Sequence, residues 1–260
     1  MRKSVLILLI ASSLQADDNH VHIDQSGANM QMEIDQIAGT INKVDLSIDG
    51  ISNSLDIDQI GSNNEVSWVD YWGSGSSWGG DLDGSNNTLR FKQYNTTGSD
   101  SNRIGFHIPS NGNTVDVCQG ATFPDMSSSS CSGTSSEYGG HTVNLDLHSG
   151  GNTVKIGQQT GSGNADHYVQ LYTYGGDNNQ TFIKQNGNGN KTLNMTIRTD
   201  GGEQSIIQKD SGAHTATIDL TGSYGTDLTL KQQGSTNQSY SLTQDCQTSG
   251  GCSVSVTQGN

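Results

Sequence analysis

The chain has 260 residues, 34 of them glycine and two proline, with 30% apolar residues and a formal net charge of −14. Twelve Lys and Arg against 26 Asp and Glu argue against a nucleic-acid partner, because phosphate recognition needs clustered cations. A chain this polar and this charged suits disorder unless its few apolar residues recur at fixed spacing, and here they do.

At the N-terminus, Arg2 and Lys3, the apolar run Val5 to Ala11 and the site Leu14-Gln15-Ala16 read as an export signal over residues 1–16. The run is too short to cross a bilayer and no later stretch reaches 18 apolar residues, so no membrane insertion is expected. Residues 17–260 are expected to form one secreted domain, extracellular or at a cell surface. Four cysteines fit an oxidising compartment.

From Asn19 onward the sequence repeats a seven-residue strand in which positions 1, 3, 5 and 7 share a face. Asn53-Ser-Leu55-Asp-Ile57-Asp-Gln59 is the clearest copy, with Asn113 to Gln119 and Asn152 to Gln158 close behind. Eighteen strands are predicted, starting at 19, 30, 42, 53, 64, 87, 102, 113, 141, 152, 167, 179, 191, 202, 214, 226, 238 and 252. Most starts are 11 or 12 residues apart, which leaves four or five residues for a tight arc. Turn residues such as Ser26-Gly27-Ala28-Asn29, Asp49-Gly50 and Thr221-Gly222-Ser223 fill the arcs. Strict alternation has period 2 and excludes helix.

Every second strand ends in glutamine, at Gln36, Gln59, Gln93, Gln119, Gln158, Gln185, Gln208, Gln232 and Gln258. The intervening strands end without such a rule, so the unit is a strand–arc–strand coil and there are about nine. Two Gly/Ser-rich segments, about 71–86 and 120–140, interrupt the rhythm and read as inserted loops. The expected fold is all-β, a two-sheet β-solenoid whose coils must stack because one coil cannot bury its thin apolar face alone. The nine glutamines would lie over one another and bond up and down as a structural ladder.

This pattern resembles the curlin family, whose repeat is Ser-x5-Gln-x4-Asn-x5-Gln. Asn42-x5-Ile48-x4-Asn53-x5-Gln59, Asn102-x5-Ile108-x4-Asn113-x5-Gln119 and His141-x5-Leu147-x4-Asn152-x5-Gln158 keep its spacing. The likeness runs from Asn19 to Gln258, although most coils here replace the family's first Gln by an apolar residue. It implies an amyloid fibre subunit or fibre-associated protein of the curli type, a fimbrium-like or pilus-like polymer serving cell adhesion and biofilm matrix. Its partners would be further copies of itself, stacked head to tail, or related curlin-like subunits.

The remaining groups read more plainly. Cys118, Cys131, Cys246 and Cys252 are most simply two local disulfides, Cys118–Cys131 and Cys246–Cys252, with other pairings open; their spacing matches no zinc site. His20 and His22 share the outward face with Asp24, next to Asp17 and Asp18, where a metal is conceivable and a solvated edge is the simpler reading. His141, His167 and His214 stand at position 1, where Asn often sits, as polar edge residues. No Ser, His and acid grouping has a distinguishing spacing, so no enzyme and no cofactor are expected. Trp68, Tyr71, Trp72 and Trp78, and Tyr168, Tyr172 and Tyr174, form two aromatic groups that would suit a surface polysaccharide. The last strand, Cys252 to Gln258, has no charge, no Pro and no Lys, so Val254 and Val256 mark an unprotected edge for assembly. The alternative to a fibre subunit is a capped, monomeric β-solenoid adhesin or a surface or phage appendage component.

Overall fold

In the computed structural model the chain is all-β, built of two parallel sheets wound as a solenoid. The structure describes residues 5–10, 19–37, 39–62, 64–66, 82–83, 86–94, 102–108, 112–120, 140–148, 151–159, 166–173, 179–198, 202–222, 227–246 and 252–259. One sheet, here the glutamine sheet, runs β1 (Val5–Ile10), β3 (Gln31–Ile37), β5 (Ser54–Ile60), β8 (Thr88–Tyr94), β10 (Thr114–Gln119), β12 (Thr153–Gln159), β14 (Asn179–Asn186), β16 (Gly202–Gln208), β18 (Asp227–Gln232) and β20 (Val254–Gln258). The opposing sheet runs β2 (Asn19–Ala28), β4 (Asn42–Ile51), β6 (Asn64–Val66), β9 (Asn102–Ile108), β11 (His141–Leu147), β13 (His167–Thr173), β15 (Lys191–Ile197), β17 (His214–Gly222) and β19 (Gln238–Cys246). Chain order alternates between the sheets, so each coil supplies one strand to each.

All eighteen predicted strands are present, each beginning within two residues of its expected start. Inward positions are buried and outward ones are not: in β5, Leu55, Ile57 and Gln59 are buried while Ser54, Asp56, Asp58 and Ile60 are only partly so. The parallel register is continuous, so a column of like positions runs through the stack. One such column is Met32, Leu55, Leu89, Val115, Val154, Thr181, Gln204, Leu228 and Val254. Across the narrow interior, Phe91 of the glutamine sheet meets Phe106 of the opposing sheet with ring centroids 4.9 Å apart.

A left-handed residue turns each of five coils into the glutamine sheet. Asn29, Ser52, Asn86, Gly112 and Gly151 all have φ between 59° and 77°, and each immediately precedes position 1 of its strand. Asn and Gly tolerate that backbone best, which is why turn residues recur there.

Two strands fall where none was expected. Leu82–Asp83 (β7) lies inside the segment read wholly as a loop and pairs in parallel with β4, Leu82 opposite Ile48. Among the described residues β6 pairs with Asn42 to Val44 of β4 and β7 with Ile48 and Asp49, so both lie along the same strand. Val5–Ile10, read as the apolar part of an export signal, forms β1 against β3, with Leu6 opposite Met32 and Ile10 opposite Gln36. An apolar run next to an unpaired sheet edge satisfies the edge's backbone groups. The rest of that signal, including Ala16, lies outside the described residues, as do 71–81, 84–85 and 121–139 of the two inserted segments.

The apolar column has one costly rung. Gln204 is fully buried and neither its Nε2 nor its Oε1 has a hydrogen-bond partner, with Thr181 below and Leu228 above. Leaving a buried amide unsatisfied costs about 1–3 kcal/mol. Gln204→Leu, of similar length and matched to Leu228, is therefore expected to raise the thermal midpoint. An unchanged or lower midpoint in a melting curve would show that the amide is satisfied in solution.

Candidate functional site

The glutamines define one corner of the solenoid. Gln36, Gln59, Gln93, Gln119, Gln158, Gln185, Gln208 and Gln232 are buried, and Gln258 closes the series on β20. Each Nε2 donates to the Oε1 one coil nearer the N-terminus, through eight bonds of 2.7–3.2 Å from Gln59→Gln36 to Gln258→Gln232. The Nε2 also donates across the corner to the backbone of the following strand in the opposing sheet. Gln119 reaches Thr142 O at 2.8 Å, Gln158 reaches Tyr168 O at 3.0 Å and Gln208 reaches Thr215 O at 2.9 Å. The ladder therefore ties coil to coil and sheet to sheet with one side chain per coil.

Position 1 of the strands carries a second set of stacked amides that the sequence reading noted only as a preference for Asn. In the opposing sheet Asn19 donates to Asn42 and Asn42 to Asn64, both at 2.9 Å. In the glutamine sheet Asn152 donates to Asn113 at 3.1 Å. The preference and the shared face were visible in the repeat; the bonds from one asparagine to the next were not.

The same column of the opposing sheet continues as Asn102, His141, His167, Lys191, His214 and Gln238. The three histidines were expected as polar edge residues. They are instead buried, none more than 1% exposed, and Lys191 is fully buried between two of them. The reason is geometric: position 1 points into the corner where the arc closes over it. Burial pushes His141 down to about 3 and holds His167 and His214 below the ordinary imidazole range. Burial also lowers Lys191 to about 8, opposed by Asp210.

The outer faces carry ordinary ion pairs. His20 meets Asp45 at 2.7 Å, and Lys92 meets Asp58 at 2.7 Å. His20, His22 and Asp24 are exposed on β2, and among the described residues no three His, Cys, Asp or Glu side chains are arranged to hold a metal. Asp56 is shifted up by burial and by the neighbouring Asp58. Tyr168 and Tyr172 converge on Gln170, the first donating to its Oε1 at 2.9 Å and the second accepting from its Nε2 at 2.7 Å. Trp68, Tyr71, Trp72, Trp78 and Tyr174 lie outside the described residues.

Cys118 and Cys252 are both in disulfides. They are not bonded to each other, because β12, β14, β16 and β18 separate their strands, a gap of roughly 24 Å at 4.8 Å per strand. Cys246 ends β19 in the same coil as Cys252, and Cys131 lies outside the described residues.

The two ends of the stack are its distinctive surfaces. Among the described residues the large exposed hydrophobics are Ile37, Ile41, Val254 and Val256. The first two lie at the N-terminal end and the others on the last strand. The last column of the opposing sheet begins at Gln25 and Ile48, and its C-terminal part runs through Ile108, Leu147, Thr173, Ile197, Leu220 and Gln244. Amides thus occupy its first and last rungs, around a mainly apolar middle. The Gln244 Nε2 is buried and has no hydrogen-bond partner. No family model, curated protein or solved structure matches the chain.

Proposed function

We propose that the protein is a secreted structural subunit that stacks head to tail into a curlin-like amyloid fibre, or associates with such a fibre, in an extracellular adhesive matrix. Seated on the C-terminal coil in the register of the coils below, a second copy would place Met32 over Val254, Ile34 over Val256 and Gln36 over Gln258. In the opposing sheet it would place Val21 over Tyr240, Ile23 over Leu242 and Gln25 over Gln244. The observation that carries the reading is this last pair. Two amides interrupt their column only where it ends, and the one at the C-terminal end has an N–H with no partner in its own chain, which the other's oxygen would satisfy once the Gln244 side chain turns toward the incoming copy.

The glutamine ladder supports the same polarity. From Gln59 to Gln258 every rung donates toward the N-terminus, so the C-terminal end offers the Oε1 of Gln258. The N-terminal end presents the Gln36 amide, whose Nε2 already donates to Asn19 O at 3.0 Å and Lys43 O at 3.2 Å, as Gln59 does to Asn42 O and Glu65 O beside its own ladder bond. Head-to-tail contact would set the Gln36 amide over the Gln258 oxygen in the arrangement of the rungs below; head-to-head contact would not. One observation favours the alternative, a capped monomeric adhesin: β1 pairs with β3 at the edge where a neighbour's β20 would sit. Removal of residues 1–16 as an export signal would open that edge.

The test uses the chain starting after Ala16. It is expected to elongate into fibres that bind thioflavin and give cross-β diffraction. The pair Val254→Lys with Val256→Pro should leave the solenoid folded while stopping elongation, since it adds charge and removes a ladder N–H at the edge. Elongation of that variant at the wild-type rate, or no fibre from wild-type chain under any condition, overturns the reading in favour of the capped adhesin.

A further inference from the structure

Four of the nine rungs of one buried column are ionisable, and they are consecutive. His141, His167, Lys191 and His214 occupy position 1 of β11, β13, β15 and β17, one coil apart, at a strand spacing of about 4.8 Å. The imidazoles of His141 and His167 lie face to face, centroids 4.8 Å apart and planes within 16°. Backbone at Gln159 favours the charged form of His141 and backbone at Asn190 that of His167, in both cases against the larger effect of burial. His214 Nε2 donates to the carbonyl of Lys209. Lys191 Nζ donates to the carbonyls of Gly189 at 2.9 Å and Asp210 at 3.1 Å.

The charged surroundings are sparse. Asn102 and Gln238, the rungs before His141 and after His214, are neutral. On the glutamine-sheet side the arc after β16 brings Lys209 and Asp210. Asp210 acts on Lys191 and His214, and Lys191 itself repels protons from both His167 and His214. Asp166, next to His167 in sequence, is exposed and engaged by Asn190 at 3.0 Å. Among the described residues no acidic group acts on His141 or His167 to compensate a second positive charge.

We propose that this column is an acid-operated release: protonation of His141, His167 and His214 sets like charges on adjacent buried rungs beside Lys191 and opens the stack at its fifth to eighth coils. The sign follows from burial. These imidazoles are neutral in the folded chain and take up a proton readily only when the corner opens, so stability is full above the ordinary imidazole pKa of about 6.5 and falls as pH drops below it. Each buried histidine contributes a factor of about ten in the unfolding equilibrium per pH unit between that value and its folded pKa. For His141 that window reaches down to about 3.

The first four coils supply the control, because Asn19, Asn42, Asn64 and Asn102 fill the same position with a side chain that does not titrate. The experiment compares the full chain with its His141→Asn/His167→Asn variant by amide hydrogen exchange and thermal unfolding at pH 7.5 and pH 4.5. Wild-type chain is expected to lose protection in β11, β13, β15 and β17 at pH 4.5 while β4 and β5 keep theirs. The variant is expected to keep protection in all of them and to lose at most half as much of its unfolding midpoint. Equal losses in the two proteins, or no loss in the wild type, overturn the proposal, since the carboxylates common to both would then govern the acid response. Should the variant not fold at pH 7.5, the ring nitrogens of wild-type chain decide by 15N resonance. Rings of His141 and His167 still neutral at pH 5 support the release, and rings that titrate at 6 or above overturn it.

Discussion

Gln158→Ala is expected to lower the melting temperature by on the order of 10 °C. Gln158 lies mid-ladder and is 1% exposed. It donates to Gln119 Oε1 and to Tyr168 O and accepts from Gln185 Nε2. Alanine removes two donated bonds and one accepted bond from a closed corner, leaving the Gln119 and Tyr168 oxygens and the Gln185 N–H each short of a partner. Each orphaned buried group costs about 1–3 kcal/mol, and the side-chain void adds its own term. Together these reach about 3–5 kcal/mol, and a chain of this length loses roughly 2–4 °C per kcal/mol. Gln25→Ala is the comparison: Gln25 is half-buried on β2, the edge strand of the opposing sheet, and its loss should move the midpoint by less than a third as much. Equal shifts would mean that the stacked amides add nothing beyond ordinary side-chain packing.

Gly202→Ala is expected to be about as damaging for a different reason. Gly202 stands at position 1 of β16, in register with Asn179, at φ +116°. A methyl group there would fall on the backbone carbonyl of Asn179 and press on the amide of Gln204. Backbone has no rotamer with which to yield, so the coil must shift, a strain of about 1–3 kcal/mol on top of a backbone angle unsuited to any residue with a Cβ. Gly27→Ala isolates the second contribution, since φ is +148° but an added methyl meets nothing within 4 Å. If both variants melt together, steric overlap at Gly202 is not what the stack responds to.

The repeat was legible because alternation and a fixed step leave a signature that survives a 30% apolar composition. Asn53 to Gln59 states the face of every residue in its strand, and parallel stacking carries that assignment into each neighbouring coil. Burial at the corners was not legible. An imidazole at position 1 fills the place of an asparagine amide, so His141, His167 and His214 look like edge polars until the arc is seen to close over them. Lys191 carries the same ambiguity, its charged end reaching two arc carbonyls rather than water. Strands at the margin of the repeat also escaped. β7 has two residues, and β1 has the composition of an export segment. Backbone pairing at an edge needs no periodicity.

The common direction of the glutamine bonds has an electrical consequence. In a sheet the peptide dipoles largely cancel, but eight side-chain amides oriented the same way add along the axis, as peptide units do in a helix. The N–H end of that sum is the N-terminal end of the stack. Eleven acidic residues and one basic residue lie between Asp17 and Asp70, so the negative charge of the chain collects beside the positive pole. The moment lengthens with every coil added in the same sense, and an inverted coil would oppose it.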